Sequence, residues 1–369
     1  MFSRRLQVGG PVNRIAAALA ARTEPHLDLT VSNPTAAGIE YDAAAITRAL
    51  ADARSLRYEP EAFGLRSARE AIAAHCGAES ERVILTASTS EAYSFLFKLL
   101  CDPGDEVLAP RPSYPLFEYL AQLESVQVLQ YRLFYDHGWH IDWHDLRERV
   151  SNRTRAIITV NPNNPTGSYL RRGDLDQFAE LGIPVISDEV FLPYELTAEP
   201  ERVCTAGNEH RVLTFALSGL SKLAGLPQLK LAWIIANGPA GARADALARL
   251  ELIADTYLSV GTPVQLAAPV LLDTSGCVRA QIRERSRRNL QRLQPLRPLL
   301  VEGGWYGIVQ APRTRSEEEW VLTLLAREGV LVQPGFFYDF EREAFLIVSL
   351  LTPEDVFSEG IERLASAIT

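Results

Sequence analysis

The feature that most constrains the fold is an alternation of short apolar strands with helices between residues 83 and 236. Strands are predicted by the apolar and β-branched runs at residues 83–85, 155–160, 183–188, 212–217 and 231–236. Polar turns and helical stretches, such as residues 91–100 and 172–180, separate several of these runs. Strands connected through helices form a mostly parallel sheet with both faces covered. The sequence therefore predicts an α/β domain.

The flanking segments follow a different pattern. The first 30 residues predict an amphipathic helix and a short strand. A helix at 240–257, an interruption at 261–263 and a basic helix at 278–299 lead into short strands at 305–310, 330–335 and 345–350, with helices near 317–328 and 353–367. We therefore predict an N-terminal arm (1–40) that joins the small domain, a large domain (41–260), and a linking helix with a small α+β domain (261–369).

Composition limits the class of protein. The 369 residues exceed one ordinary core, and a net charge of −9 argues against a nucleic-acid partner. No apolar run reaches membrane-spanning length, and the start of the chain is too broken for an export signal. The four cysteines are far apart, and the histidines at 137, 140 and 144 lie in a predicted surface loop without a metal-ligand pattern. We expect a cytoplasmic protein with no membrane or metal partner.

Lys222 stands in a polar turn between two predicted buried strands. A lysine at the end of a buried strand loses solvation, so its pKa falls. That is the state a Schiff-base lysine needs, because only the neutral amine attacks an aldehyde. An ordinary loop lysine at a strand end is the alternative interpretation.

Three further positions place polar side chains next to strand ends. Ser88, Thr89 and Ser90 precede a helix, whose free N–H groups suit a phosphate, although plain N-capping explains the same residues. Asn164, in NPNNPTG, offers an amide for a ligand or for closing its own turn. Asp188 ends a buried strand, where open α/β sheets bind ligands, but an ion pair or a helix cap would also explain it.

Taken in order, these segments resemble the class I/II aminotransferases, which are pyridoxal-phosphate enzymes of fold type I. The resemblance covers nearly the whole chain. It rests on Tyr58 with FGLRSAREAIA, GDEV with PSYP, NPNNPTG, SDEV, and SK followed by GLP. It implies the fold type I architecture, with a mostly parallel, seven-stranded type of sheet in the large domain and a smaller α+β domain.

The resemblance also implies roles for individual residues. Lys222 would hold pyridoxal 5′-phosphate as an aldimine and then move the substrate proton. Asp188 would pair with the pyridine nitrogen, Asn164 would hydrogen-bond the phenolic oxygen, and Tyr114 would stack on the ring. The phosphate would be held by Ser88, Thr89 and Lys230, with Ser221 as a further candidate and with Tyr58 reaching over from a second subunit. A homodimer with a shared active site is thus implied.

Three positions depart from the family pattern around the cofactor. Phe191 stands where the family commonly has a tyrosine, and loss of that hydroxyl is expected to raise the pKa of the aldimine. Gly219 replaces a frequent phosphate-binding serine, for which Ser218 or Ser221 could compensate. Lys230 replaces the usual arginine, so the charge remains while the two-point contact is lost.

A fourth departure concerns the substrate. Ile347, in FLIVSL, occupies the position of the family arginine that binds the substrate α-carboxylate. Either another arginine replaces it or the substrate is not an ordinary α-amino acid bound in the ordinary way. The candidate replacements are Arg4, Arg5, Arg111 and Arg342. Aromatic residues at 305, 306 and 336–338 are compatible with an apolar substrate pocket and equally with core packing.

The function implied is aminotransferase activity, with amino acids as donors and oxo acids or aldehydes as acceptors. A lyase, decarboxylase or oxidase reaction of the same cofactor is the alternative, because Lys222 and Asp188 would serve all of them. A non-catalytic binding protein of this fold is a further alternative. Such domains usually accompany a DNA-binding module, for which this chain has neither the room nor a basic face.

Overall fold

The computed structural model describes residues 2, 3, 5 and 12–368. Its strands, in chain order, are β1 (Leu27–Asp28), β2 (Val83–Thr86), β3 (Glu106–Arg111), β4 (Gln127–Tyr135), β5 (Trp139–Ile141), β6 (Thr154–Val160), β7 (Val185–Asp188), β8 (Thr214–Gly219), β9 (Ala232–Asn237), β10 (Tyr306–Gln310), β11 (Val330–Leu331), β12 (Gln333–Pro334) and β13 (Phe345–Ser349).

The helices are α1 (Arg14–Ala21), α2 (Ala43–Leu50), α3 (Arg66–Cys76), α4 (Thr89–Leu100), α5 (Phe117–Leu123), α6 (Trp143–Arg149), α7 (Arg172–Leu181), α8 (Leu220–Leu223), α9 (Ala240–Tyr257), α10 (Thr262–Leu293), α11 (Glu317–Thr323) and α12 (Glu354–Ile368). Capping follows from the sequence. Asp42 accepts a hydrogen bond from the Ala45 N–H at the start of α2, and Gly77 ends α3 in the left-handed conformation at φ 67°.

The large sheet has the strand order β2-β9-β8-β7-β6-β3-β4-β5. Five consecutive strands, from β8 to β4, run parallel, whereas β9 is antiparallel to both of its neighbours. The carboxyl ends of β6, β7 and β8 therefore meet at one edge of the sheet. The prediction of an α/β fold with a mostly parallel large sheet is confirmed, but the described sheet has eight strands where seven were expected, because β5 pairs with β4 at its edge.

Helices cover both faces of this sheet around β2, β7 and β9, in which every residue is buried. On β9, Ile234 packs with Tyr93 of α4 and Leu250 of α9, whereas the adjacent Trp233 packs with Ile72 of α3 on the other face. Successive residues of β9 therefore pack against helices on opposite faces of the sheet. The sheet edge near the loops remains the place for polar side chains.

Two elements differ from the sequence-based expectation. The predicted surface loop around His140 contains β5, which pairs antiparallel with β4 because Trp139 and Ile141 point into the core while His140 stays exposed. The basic helix expected at 278–299 is the second half of α10, which starts at Thr262 and ends at Leu293. Pro269 lies inside α10 without ending it.

A second, smaller sheet has the order β10-β13-β12. Its core includes Ile15 of α1 and Leu29, and β1 pairs in parallel with β11. The N-terminal segment thus packs with the C-terminal one, while the domain boundaries at residues 40 and 260 stay predictions. Within the described residues, no helix is both long and apolar enough to cross a membrane.

Candidate active site

A cavity of about 270 Å³ lies at the carboxyl ends of β6, β7 and β8. Residues from distant parts of the chain line it: Ser32, Thr89, Tyr114, Val160, Asn164, Asp188, Val190, Phe191, Gly219, Ser221, Lys222, Ala232 and Tyr306. Six of the sequence-predicted site residues are in this set, namely Thr89, Tyr114, Asn164, Asp188, Ser221 and Lys222. We call Thr89, Asn164, Asp188, Ser221 and Lys222 the polar wall.

Lys222 reaches the cavity from the four-residue helix α8, directly after β8. Its backbone carbonyl accepts a 2.5 Å hydrogen bond from the Tyr194 hydroxyl, which fixes the turn. Burial lowers the pKa of the Lys222 amine, and the Asp188 carboxylate offsets this only in part. A buried amine with a lowered pKa is suited to nucleophilic attack and to accepting a proton.

Asp188 ends β7, the strand next to β8, and Asp188 pairs in register with Leu217. Its carboxylate accepts hydrogen bonds from the Val190 N–H and from the Tyr93 hydroxyl, each at 3.2 Å. Burial nevertheless raises the pKa of Asp188 to about 6, since these bonds and Lys222 offset only part of the desolvation. A buried carboxylate of this kind favours a cationic partner.

The loop at residues 161–167 contains three asparagines. Two of them form hydrogen bonds within the fold through their side chains, and the third does not. The Asn161 Oδ1 accepts from the Leu170 N–H at 3.0 Å, and the Asn163 amide bonds Pro112, Ser113 and Thr166. By contrast, the Oδ1 of Asn164 is buried and has no hydrogen-bond partner. An unpartnered buried amide group that lines a cavity is available to a ligand.

Thr89 lies at the first position of the 12-residue helix α4, whose free N–H groups begin at the cavity. The preceding Ser88 is the N-cap, and its hydroxyl accepts from the Glu91 N–H at 3.1 Å. The side chain of Ser88 thus performs the capping role that was its alternative interpretation, and Ser88 does not line the cavity. Its role at the phosphate stays a prediction.

Two other predicted cofactor residues, Lys230 and Tyr58, do not line the cavity. Lys230 is exposed, with φ at 53°. Tyr58 is 80% exposed and lies on a loop beside a separate surface pocket. Their proposed contacts with a phosphate therefore stay predictions, and Tyr58 is free for a second subunit.

Close packing between β8 and β9 explains why residue 219 is a glycine, which the sequence alone did not show. A Cβ atom at Gly219 would lie 2.9 Å from the Cβ of Ala232 on the neighbouring strand β9. A serine would therefore require β8 and β9 to move apart. Of the two serines expected to compensate, Ser221 lines the cavity, while Ser218 lines a different pocket on the far side of β8.

The other side of the cavity is aromatic: Phe191 and Tyr306 line it, and Trp305 and Tyr338 pack against these two rings. We call these four residues the aromatic wall. Phe191 packs edge-on against Trp305 and Tyr306, at centroid distances of 5.1 and 6.3 Å, and Tyr306 packs against Tyr338 at 6.2 Å. The Lys222 Nζ lies 5.1 Å from the centre of the Trp305 ring. Neutral aromatic rings therefore lie beside the Lys222 amine.

Ile347 belongs to the same buried cluster as the aromatic wall and is 1% exposed. It pairs with Ile308 across β10 and β13, so its position in the sheet is fixed on both sides. The proposed replacement arginines lie elsewhere. Arg111 is ion-paired with Glu341, Arg5 donates to the Leu123 carbonyl at 3.1 Å, and Arg342 is exposed. Arg4 lies outside the described residues.

Two further residues of the site, Tyr93 and Ser32, were not predicted from the sequence. Tyr93 lies four residues after Thr89, and that spacing places both on the same face of α4. The hydrogen bond of its hydroxyl to Asp188, 95 positions away, has no local signal. Ser32 had no local signal, because it reaches the cavity from the N-terminal segment. Within residues 2, 3, 5 and 12–368, no group of three or more metal-ligating side chains is close enough to hold a metal ion.

Comparison with known proteins gives consistent matches along the chain. The profile of the family "aminotransferase class I and II" matches residues 24–364. The glutamate-pyruvate aminotransferase AlaA of Haemophilus influenzae is 26% identical, over 97% of this chain and 94% of that protein. The human tyrosine aminotransferase is 25% identical, over 96% and 84% of the respective chains.

A similar architecture is found among solved structures. The alanine aminotransferase from Pyrococcus furiosus superposes with a TM-score of 0.87, covering 100% of this chain and 99% of that one, at 24% identity. The aspartate aminotransferase from Thermotoga maritima has a TM-score of 0.84 at 21% identity, over 99% of both chains. At these identities the superpositions show a shared fold.

Proposed function

The chain belongs to the aminotransferase class I and II family and is an amino-group transferase; on that premise we propose that pyridoxal 5′-phosphate is its cofactor and that Lys222 binds it. One observation carries the proposal. The amine of Lys222, the carboxylate of Asp188 and the unpartnered amide of Asn164 converge on one cavity. These three groups match the aldehyde, the ring nitrogen and the phenolic oxygen of that cofactor.

The remaining donors of the polar wall fit a phosphate. Thr89 and Ser221 supply hydroxyl groups, and the N-terminus of α4 supplies N–H groups and a positive dipole end. Tyr114 supplies a ring for stacking. Ser88, Lys230 and Tyr58 remain proposed contacts, with Tyr58 serving the site of a second copy in a homodimer.

When bound, the cofactor ring withdraws the electron pair that is left after a proton leaves the substrate carbon. Asp188 holds positive charge on the ring nitrogen, because an unpaired buried carboxylate is costly. The Nζ of Lys222 would accept the proton from the substrate carbon that bears the nitrogen, and burial favours the neutral amine because it lowers the pKa of Lys222. Both groups stay in place because they lie at the ends of adjacent strands in the large sheet.

The half-reaction tests the function directly. Protein loaded with pyridoxal phosphate is mixed with a panel of amino acids and primary amines, without an oxo acceptor. We expect one equivalent of carbonyl product per site and no ammonia, followed by recovery of the starting spectrum when an oxo acid is added. Catalytic release of ammonia without an acceptor would instead assign a deaminating reaction to the same site.

The homodimer is tested separately by complementation. Lys222→Ala and Tyr58→Asp proteins are unfolded together and refolded as a mixture. If Tyr58 serves the neighbouring site, mixed dimers contain one site with both native residues, so activity rises above that of either parent. Activity equal to the mean of the two parents would exclude a shared site through Tyr58.

A further inference from the structure

We infer that at least one of the two substrates is an amine, with its matching aldehyde or ketone, that has no carboxylate on the carbon bearing the nitrogen. The inference rests on the proposed function, because it takes Lys222 as the reacting centre. It concerns the aromatic wall, whereas the proposed function depends on the polar wall. The two can therefore fail separately.

The charges that line the cavity are few. Among the thirteen lining residues, Lys222 carries the only amine and Asp188 the only carboxyl group, and none is an arginine. Asp188 repels a second anion, and a cofactor phosphate at the start of α4 adds further negative charge. Lys222 must be neutral to accept a proton, so it cannot also serve as the permanent counter-ion of a substrate carboxylate.

The aromatic wall is packed too tightly to hold a cationic side chain between its rings. Trp305 is fully buried, Tyr306 and Tyr338 are nearly so, and Ile347 fills the layer that they share. The Tyr338 hydroxyl of this wall is also engaged within the protein, because it donates to the side-chain oxygen of Gln333. The aromatic wall therefore consists of uncharged groups: aromatic rings, neutral hydroxyls and the unpartnered indole N–H of Trp305.

The arginines near the aromatic wall either form ion pairs with carboxylates or line a different groove. Arg111 pairs with Glu341, and Arg132 pairs with Asp142 at 2.9 Å. Arg313 and Arg342 are exposed and line a separate groove of about 410 Å³ between β4 and the small sheet. None of these four lines the cavity, so within the described residues no guanidinium faces the substrate.

An α-amino acid places its carboxylate one carbon away from the reacting nitrogen, so that carboxylate enters the cavity with the amine. An anion that leaves water without gaining a cation loses stabilisation. An amine that carries hydrogen or an alkyl group in place of the carboxylate avoids this loss and packs against the aromatic rings. The aromatic wall thus selects against a carboxylate at this carbon.

The transfer is balanced for such a substrate. An amine R–CH2–NH2 leaves as the aldehyde R–CHO, while its nitrogen replaces the oxygen of the cofactor aldehyde. The substrate carbon is oxidised by two electrons and the cofactor carbon is reduced by two. No outside oxidant is needed, because an oxo acid or a second aldehyde or ketone then accepts the nitrogen, gives its oxygen in exchange and completes the cycle.

The test compares two matched compounds that bind but cannot lose a proton from the reacting carbon. 2-Aminoisobutyrate and tert-butylamine differ only in a carboxylate replaced by a methyl group. Each is titrated against the loaded protein by its visible spectrum, with concentrations expressed as free amine. We expect tert-butylamine to bind at least about tenfold more tightly, as one uncompensated buried charge implies.

Turnover gives a second comparison. 2-Phenylethylamine and L-phenylalanine, and likewise ethylamine and L-alanine, are compared in the half-reaction. At least one amine should exceed its amino acid by about tenfold or more in second-order rate constant. Tighter binding of 2-aminoisobutyrate together with faster reaction of both amino acids would overturn the inference, for instance because a second subunit supplies an arginine.

Ile347→Arg sharpens the comparison, with Ile347→Met as the control of similar volume. The arginine variant should shift the preference toward 2-aminoisobutyrate by about tenfold, and the methionine variant should not. If the arginine variant does not take up cofactor, the wild-type ratios still decide the question. Failure of wild-type protein to bind pyridoxal phosphate would refute the proposed function, whereas normal loading with a preference for carboxylates would refute only this inference.

Discussion

The two walls of the cavity differ in both chemistry and origin. The polar wall comes from strand ends and turns of the large sheet, and its amine, carboxylate and amide are the proposed contacts of one cofactor. The aromatic wall comes mainly from the small sheet and its loops, and it presents packed rings backed by Ile347. The difference suggests that the cofactor chemistry of the family is kept here while the substrate requirement has changed.

The largest effect is expected from Lys222→Arg, compared with Tyr306→Phe on the aromatic wall. Arginine keeps the charge but cannot act as a neutral nucleophile or base. Amino transfer should fall by at least about 10³-fold, whereas loss of the Tyr306 hydroxyl should cost far less. Single-turnover rates measure both, and similar losses in the two variants would contradict the division of roles between the walls.

The raised pKa of Asp188 predicts how the stability of the cofactor-free protein depends on pH. Its pKa is raised to about 6 in the folded state, from an ordinary 3.8, so the folded protein holds the proton more tightly. The protonated Asp188 side chain therefore adds to the unfolding free energy. This contribution has its full value below the unfolded pKa of about 4 and disappears as the pH rises through 6. The difference of about two pKa units corresponds to about 3 kcal/mol.

Urea unfolding of the cofactor-free protein at pH 4 and pH 7 measures the contribution of Asp188 to the unfolding free energy. Wild-type protein should lose about 2 kcal/mol relative to Asp188→Asn over this interval, because the unfolded carboxyl is already partly ionised at pH 4. The neighbouring Glu189, whose pKa burial raises to about 7, is present in both proteins and largely cancels. Parallel pH profiles for the two proteins would show that Asp188 does not titrate in this range.

The polar wall could be predicted from sequence to a large extent. Lys222 and Asp188 follow apolar strands, and parallel neighbours bring such ends together. The NPNNPTG segment indicated a rigid polar loop, but the sequence could not show that Asn163 anchors the loop while Asn164 faces the cavity. The aromatic wall depends on contacts between residues more than 100 positions apart, such as Phe191 and Trp305, which local patterns do not encode.

These two asparagines give the next prediction. Asn164→Ala removes no hydrogen bond within the fold, so the unfolding free energy should stay nearly constant while cofactor affinity falls by about tenfold. Asn163→Ala removes bonds to Pro112, Ser113 and Thr166 and should destabilise the fold by about 2–3 kcal/mol. Cofactor titration and urea unfolding separate the two effects. The reverse pattern would assign the ligand contact to Asn163.

The smallest effect is expected from Tyr194→Phe, which removes the hydrogen bond to the Lys222 carbonyl. The ring still packs on Trp305 at 5.0 Å, so the aromatic packing remains. Stability should fall by about 1 kcal/mol, with cofactor attachment retained. A loss of attachment in thermal and spectral assays would mean that Tyr194 positions the reactive amine more directly than its hydrogen bond indicates.

The central claim is that Lys222 is the residue to which the cofactor attaches. The sequence contains three lysines, Lys98, Lys222 and Lys230, which makes the test unusually direct. The protein is loaded with pyridoxal phosphate, reduced with borohydride, digested and mapped by mass spectrometry. We predict one phosphopyridoxyl group per chain, on Lys222, with Lys98 and Lys230 unmodified. Stoichiometric modification of Lys98 or Lys230, or no modification at all, would contradict the claim.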